Sequence, residues 1–201
     1  MVGCATPRVS AISPASRNIL EAVGAWEAIA GQRCCAYTDM HVWEADGTGS
    51  VHFQAGDIHA DELGYIIENS VLLRALRQRL QQWGNVSLIG GRVNGLRPAL
   101  INAETSEQGL DVFLAEGSRI SSRLLVAADG ANSAVRRLAG FQVNERDYDH
   151  HAIVTTVRTS LPHRNTAIQR FMDDGVLAFL PLPDNAPGQE AGSQQHCSIV
   201  W

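Results

Sequence analysis

The chain has 201 residues, of which 45% are hydrophobic, and its formal net charge at pH 7 is −5. This length and composition allow a buried core in one or two domains, whereas the acidic balance and the lack of a basic stripe argue against non-specific nucleic-acid binding. The sequence holds no apolar run of about 18 residues and no signal-peptide blocks, so we expect a cytoplasmic protein without a transmembrane segment.

Two helices are predicted in the first half of the chain. Ser13 and Pro14 suit the cap and the first residue of a helix that pauses at Gly24 and continues to residue 30. A second helix is predicted to begin at Glu68-Asn69 and to end before Gly84. Its apolar residues recur at helical spacing, as a core-facing stripe does: Val71, Leu72, Leu76, Leu80 and Trp83.

Strands are predicted in three groups. Asp46-Gly47 is a turn signal between two alternating segments, 41–44 and 50–53, and predicts a hairpin. An antiparallel meander beside a parallel sheet is predicted from the segments 86–89, 92–103, 110–115 and 119–128. A second sheet is predicted from the segments 152–158, 167–172, 176–181 and 197–201, with a hairpin turn at 173–175 and a mobile loop over 183–195.

The most informative segment joins an apolar run to a helix start through Asp129 and Gly130. Residues 124–128 are apolar without alternation, as in a strand covered on both faces, and Asp129 then lies at the carboxyl end of that strand, where open α/β sheets bind ligands. Gly130 permits the close approach of a phosphate, and Asn132 or Ser133 can cap the next helix while its first amides face an anion. A plain strand-to-helix turn with a capping serine is the alternative.

The cysteine and histidine residues predict no metal site. No Cys-x-x-Cys pair is present among the four cysteines, and we expect them to be reduced and buried. His150 and His151 are adjacent in a predicted strand and therefore point to opposite faces, so they cannot chelate one ion together.

Four stretches of the chain resemble one enzyme family. The segment 124–136 resembles the Asp-Gly motif of the class A flavoprotein aromatic hydroxylases, the p-hydroxybenzoate hydroxylase type. Residues 7–16, 63–76 and 148–154 are similar to the ubiquinone-biosynthesis branch of that family, especially the 2-octaprenylphenol hydroxylase kind. The resemblance covers nearly the whole chain.

The resemblance implies a mixed α/β fold in which the chain passes twice between two domains. Residues 1–36 and 65–148 would form part of an FAD-binding, Rossmann-like three-layer domain that includes the meander, and 37–64 and 149–201 part of a mixed or antiparallel substrate-binding sheet. The family's Gly-x-Gly-x-x-Gly turn and its second Gly-Asp motif are absent from the sequence. We therefore expect an internal piece of a longer enzyme that binds FAD weakly or not at all and is inactive by itself.

The resemblance also implies cofactor contacts residue by residue. Arg8 would lie beside the flavin and pair with its pyrophosphate or with Asp129, unless it is an ordinary surface arginine. Asn69 stands where many relatives carry an arginine or glutamine that reaches the cofactor, and its alternative role is a helix cap. Arg136 would support the carboxylate or a reduced nicotinamide nucleotide. The candidate cofactor-binding set is Arg8, Asn69, Asp129, Gly130, Ser133 and Arg136.

The activity implied is hydroxylation of a phenolic, polyprenylated ring with FAD, NAD(P)H and O2. Four apolar residues would line the substrate pocket, or are ordinary core residues: Phe171, Leu177, Phe179 and Leu180. Association with the inner-membrane surface or with a biosynthetic complex would bring such an enzyme to its substrate. The alternative function is a non-catalytic scaffold that associates with a hydroxylase or a biosynthetic complex.

Overall fold

The structure is a computed structural model that describes residues 8–102, 104–183 and 194–201. In chain order its elements are β1 (Val9–Ile12), α1 (Pro14–Ala22), α2 (Trp26–Ala30), β2 (Cys34–Tyr37), β3 (Asp39–Glu44), β4 (Ser50–Gln54), β5 (Gly64–Glu68), α3 (Asn69–Gln81), β6 (Val93–Asn102), β7 (Glu107–Leu114), β8 (Arg119–Ser122), α4 (Ala134–Leu138), β9 (Val154–Arg158), β10 (Thr166–Met172), β11 (Gly175–Leu182) and β12 (His196–Val200). The mixed α/β class predicted from the sequence is confirmed. None of the described helices is long and apolar enough to cross a membrane.

The chain divides into two compact units. The larger unit comprises Met1–Val86 and His150–Trp201, and the smaller comprises Ser87–Asp149. This division differs from the predicted domains, because the predicted cofactor and substrate segments before residue 87 belong to one compact unit. The assignment of 1–36 and 65–148 to one functional domain, and of 37–64 and 149–201 to the other, stays a prediction.

The first sheet of the larger unit has three antiparallel strands in the order β1-β5-β2. Helices α1, α2 and α3 contribute most of the buried core beside it: Leu20, Ala25, Trp26, Ile29, Ile67, Val71 and Ala75. Ser13 caps α1 and Pro14 is its first residue, as predicted, because the Ser13 hydroxyl accepts a hydrogen bond from the Ser16 amide. Arg17 ties α1 to the sheet, since it lies over the rings of Trp26 and Tyr65 and forms an ion pair with Glu62.

The second sheet of the larger unit has six strands in the order β4-β3-β10-β11-β12-β9. The predicted hairpins form: β3 pairs with β4 around Asp46-Gly47, and β10 pairs with β11 around a turn at 173–174. Strands β3 and β10 are the parallel pair, and every other pair of this sheet is antiparallel. Most of the predicted loop 183–195 lies outside the described residues.

The smaller unit contains the predicted antiparallel meander and a short helix. Strands β6, β7 and β8 pair in sequence order, and α4 lies against β6.

Two predicted strands are wrong. Residues 86–89 and 124–128 have no regular secondary structure, and the side chains of Leu124 and Val126 are 77% and 72% exposed. The predicted parallel sheet beside the meander is likewise absent from the described part of the smaller unit. The physical reason is that a strand needs a hydrogen-bonding neighbour, and no described strand pairs with either segment.

The helix core gives a direct test of the fold. Ile29 is fully buried in α2, whereas Ile19 on α1 is 65% exposed. We expect Ile29→Ala to lower the free energy of unfolding by about 2–5 kcal/mol, because it removes buried methyl groups and leaves a cavity. Ile19→Ala is the matched control and should change it by much less. Urea unfolding followed by far-ultraviolet circular dichroism measures both, and equal losses would contradict the assigned core.

Candidate functional site

Asp129 caps the short helix of the smaller unit. One carboxylate oxygen accepts hydrogen bonds from the backbone amides of Ala134 at 2.8 Å and Val135 at 3.2 Å. The other accepts a hydrogen bond from the Ser133 hydroxyl, which itself accepts one from the Arg136 amide at 2.9 Å. Ser133 is thus the helix cap that the sequence predicted, and Asp129 adds a second cap.

These hydrogen bonds change the expected role of the turn. The sequence predicted that the first amides of α4 face an anion, but three of them already donate to Asp129 and Ser133. The hydrogen bond from the Ser133 hydroxyl lowers the pKa of the Asp129 carboxyl below its ordinary value, desolvation opposes this effect, and the hydrogen bonds from backbone amides lower the pKa further. The carboxylate is therefore held ionised by its own helix.

Gly130 and Arg136 border a cavity of about 670 Å³ within the smaller unit. Gly130 has a φ of +85°, a conformation that favours glycine, and the space beside its Cα is open. The guanidinium of Arg136 donates to the Ala131 carbonyl at 2.7 Å and lies 3.8 Å from Glu145, so it does not pair with Asp129. The rest of the wall is mainly apolar and includes Leu125, Val135, Leu138 and Phe141.

Arg8 and Asn69 come together at one edge of the three-stranded sheet, in the larger unit. The Asn69 amide donates to the Arg8 carbonyl at 3.1 Å, and the Ser10 hydroxyl donates to Asn69 Oδ1 at 2.7 Å. Asn69 is the first residue of α3, and its side chain holds β1 rather than capping the helix. Arg8 is exposed and its guanidinium forms no ion pair or hydrogen bond with any residue in the described ranges.

An ion pair that the sequence did not predict lies at the same end of β5, on the side that pairs with β2. Arg33 Nε is 2.5 Å from Glu68 Oε1, and the Glu68 side chain is almost fully buried. Strand pairing explains the contact, because Cys34 lies opposite Ile67 and the residues that adjoin this pair are Arg33 and Glu68. Neither residue belongs to a short motif, so only the register between β2 and β5 could have revealed it.

The four predicted substrate-pocket residues lie on two faces of the six-stranded sheet. Phe171 is opposite Val176 in the antiparallel pair of β10 and β11, so these two side chains share a face. Leu180 is four residues after Val176 on β11 and therefore lies on the same face as Phe171. Leu177 and Phe179 point to the other face because side chains alternate along a strand. One pocket on this sheet can therefore take either pair but not all four residues.

Within the described residues, no group of three or more histidine, cysteine, aspartate or glutamate side chains is placed to hold a metal ion. The two candidate surfaces are accordingly defined by different groups. The edge in the larger unit presents Arg8, which has no side-chain partner among the described residues, and the turn in the smaller unit presents Gly130 and Arg136 beside an apolar cavity.

Comparison with protein families assigns the chain to a class. A family described as FAD binding domain matches residues 5–186, and the chain belongs to that family. It is 37% identical over 198 residues to a zebrafish (Danio rerio) protein named ubiquinone biosynthesis monooxygenase COQ6, mitochondrial, a match that covers 96% of this chain and 39% of the relative. It is also 37% identical over 194 residues to the 3-demethoxyubiquinol 3-hydroxylase of Escherichia coli K12, covering 96% of this chain and 45% of the relative.

Solved structures agree with the fold. The chain is similar to PqsL, a probable FAD-dependent monooxygenase from Pseudomonas aeruginosa, with a TM-score of 0.74 at 19% identity over 96% of this chain and 50% of that one. It is also similar to Klebsiella pneumoniae HpxO, solved with FAD and uric acid, with a TM-score of 0.63 at 16% identity over 96% of this chain and 46% of that one. The chain thus spans less than half the length of the curated relatives it matches.

The capping role of Asp129 predicts a pH dependence of stability. A carboxyl whose pKa is lowered on folding stabilises the folded state above its unfolded pKa, about 3.9, and this contribution is lost as the pH falls through the lower folded pKa. Asp129→Asn should therefore be less stable than the wild-type chain at pH 6, and the difference should shrink below pH 4. Urea unfolding across this pH range measures it.

Asp46→Asn is the control for that measurement. Asp46 is exposed in the β3–β4 turn and has no side-chain hydrogen bond to a residue that the structure describes. Its substitution should leave the acid dependence of the wild-type chain in place. A stability difference between wild type and Asp129→Asn that is the same at pH 6 and pH 3 would contradict the capping role.

Proposed function

We propose that this chain is part of an FAD-dependent monooxygenase that hydroxylates a phenolic, polyprenylated ring in ubiquinone biosynthesis. The observation that carries the proposal is 37% identity, over 96% of the chain, to two relatives whose names place them in ubiquinone metabolism as a monooxygenase and a hydroxylase. Membership of the FAD binding domain family supports the cofactor.

The residues present fit a flavin dinucleotide in part. Arg8 would bind the pyrophosphate. Its guanidinium is exposed and unpaired among the described residues, so it can form charge-assisted hydrogen bonds with phosphate oxygens. Gly130 would let the ligand approach the backbone closely, because the space beside its Cα is open. The amides at the start of α4 do not fit a phosphate cradle, since Asp129 and Ser133 occupy them.

When bound, the flavin would supply the redox chemistry, accepting hydride from NAD(P)H and activating O2 for attack on the ring. The side chains and backbone of this chain would bind and orient the flavin and the nicotinamide nucleotide. Asn69 and Ser10 fix the start of β1 and hence the position of Arg8. Asp129 and Ser133 fix the turn that presents Gly130, and Arg136 offers a cation to a nicotinamide nucleotide.

An apolar part of one face of the six-stranded sheet suits a polyprenylated ring, although Gln169 and Glu44 lie on the same face. Phe171 and Leu180 share their face of β10 and β11 with Val176 and Ala178, and Phe171 is 45% exposed. We assign the substrate contact to this pair, because an exposed aromatic ring with aliphatic neighbours can bury against an isoprenoid chain. Leu177 and Phe179, on the opposite face, would then have a packing role. A substrate of this kind resides in lipid, so the enzyme would work at the inner-membrane surface or in a biosynthetic complex.

Flavin binding tests the role of Arg8. Purified chain is titrated into FAD, and binding is followed by flavin fluorescence. We expect weak binding, and Arg8→Ala should weaken it by about tenfold or more, because a charge-assisted hydrogen bond is lost. Arg77→Ala, on the exposed side of α3, is the control and should bind as wild type. Equal affinities for Arg8→Ala and Arg77→Ala would remove Arg8 from the cofactor site.

A chimera tests the activity. Residues 8–201 replace the corresponding segment of the Escherichia coli 3-demethoxyubiquinol 3-hydroxylase in a strain that lacks this enzyme, and ubiquinone is measured in lipid extracts. We expect the chimera to restore ubiquinone and Asp129→Ala in it to restore less, with Arg77→Ala as the control. A folded chimera that binds FAD but forms no hydroxylated product would favour the non-catalytic scaffold instead.

A further inference from the structure

The β3–β4 hairpin brings two histidines together. His41 on β3 lies directly opposite His52 on β4, and their ring centroids are 5.7 Å apart. The backbone bonds from Glu44 to Gly49 and from Ala55 to Thr38 define the hydrogen-bonded pairs of this ladder, and His41–His52 falls between them as a non-hydrogen-bonded pair. In such pairs the side chains approach most closely, with Cβ atoms about 4.5–5.5 Å apart.

Each imidazole already has a partner for one ring nitrogen. Asp39 Oδ1 accepts from Nε2 of His52 at 3.1 Å, and the Ser50 hydroxyl lies 3.5 Å from Nε2 of His41. Asp39 is itself held by hydrogen bonds from Thr38 at 2.6 Å and Gln54 at 3.3 Å. An ionised Asp39 can only accept in this contact, so Nε2 of His52 carries a proton, and in the neutral imidazole the lone pair is then on Nδ1, which has no partner among the described residues.

We propose that His41 and His52 form a two-imidazole site for a divalent transition-metal ion such as Zn²⁺, Cu²⁺ or Ni²⁺. Imidazole nitrogens bind these ions, and a carboxylate on the second nitrogen of a ligating histidine is the usual orienting partner, the position that Asp39 occupies for His52. A metal ion held by two imidazoles at about 2.0–2.1 Å keeps the ring centres within about 6 Å, which the observed 5.7 Å satisfies.

The site is open to solvent and incomplete by itself. The side chain of His52 is 47% exposed, so an ion reaches it without a change in the fold. Two protein ligands are fewer than a permanent structural site uses, so water completes the coordination and the ion exchanges with solvent. Trp43 supplies a reporter, because its ring centroid lies 4.9 Å from that of His41.

Metal titration of the whole 201-residue chain tests the proposal. Cu²⁺ is added in a non-coordinating buffer while tryptophan fluorescence is followed, and Zn²⁺ binding is measured by calorimetry. We expect one saturable site that quenches fluorescence in the wild-type chain. Trp43→Phe should lose most of the quenching and keep the calorimetric binding, whereas Asp39→Asn should weaken binding by about tenfold.

Histidine variants decide the location of the site. His41→Asn and His52→Asn should each abolish saturable binding, whereas His59→Asn should bind as wild type. His59 is an apt control because it is exposed and has a φ of 54°, which asparagine tolerates. Saturable binding that persists in both His41→Asn and His52→Asn, or no saturable binding by the wild-type chain, would overturn the proposal.

A second measurement needs no substitution. Diethylpyrocarbonate modifies accessible imidazoles, and mass spectrometry of the digested wild-type chain reports each histidine separately. Zn²⁺ should protect His41 and His52 and leave His59 unprotected. Equal modification of all three with and without Zn²⁺ would contradict the site even if a variant had failed to fold.

Discussion

The double pairing of β5 is the constraint on which the placement of Arg8 and Asn69 in the larger unit depends. β5 is the middle strand of its sheet, and Ile66 and Ile67 are fully buried on its two faces. A shift of one residue would bring Tyr65 or Glu68 to one of these buried positions, so the register is fixed. This register holds Val9 opposite Glu68. Arg8 therefore lies beside the start of α3, where Asn69 binds its carbonyl. The same register on the other side brings Arg33 to Glu68.

The turn in the smaller unit is subject to a different constraint, because the carboxylate that caps α4 and a bound phosphate would compete for the same backbone amides. A dinucleotide phosphate and the Asp129 carboxylate are both anions, and the amides of Ala134 and Val135 can satisfy only one of them. In this chain the carboxylate occupies them. In the proposed function, the contribution of the turn therefore comes from the backbone at Gly130 and the guanidinium of Arg136, which line the cavity, while Asp129 holds the conformation of the turn.

Features with a local physical cause could be predicted from the sequence. The start of α1 follows from Ser13 and Pro14, the β3–β4 hairpin from Asp46-Gly47, and the helix after Asp129 from the cap at Ser133. The Asp-Gly motif and the neighbouring stretches also identified the flavoprotein family correctly.

Features that depend on distant parts of the chain could not be predicted. Residues 124–128 have the composition of a buried strand, but composition cannot supply a partner, and without one the segment is exposed. The Arg33–Glu68 ion pair and the two-faced placement of Phe171 and Leu177 depend on strand register, which no local pattern specifies. The sequence could therefore identify candidate residues such as Arg8 and Asn69 but could not show that a hydrogen bond joins them.

The histidine pair lies between these two cases. A motif search by fixed spacing overlooks residues that are eleven positions apart. A hairpin turn, however, pairs residues that lie at equal distances before and after its centre. With the turn centred on Asp46-Gly47, residue 41 must meet residue 52 and residue 39 must meet residue 54, as the ladder shows. Paired metal ligands in antiparallel sheets are thus better found by reflection about a recognised turn than by a fixed spacing, because the turn is a local signal that determines a non-local contact.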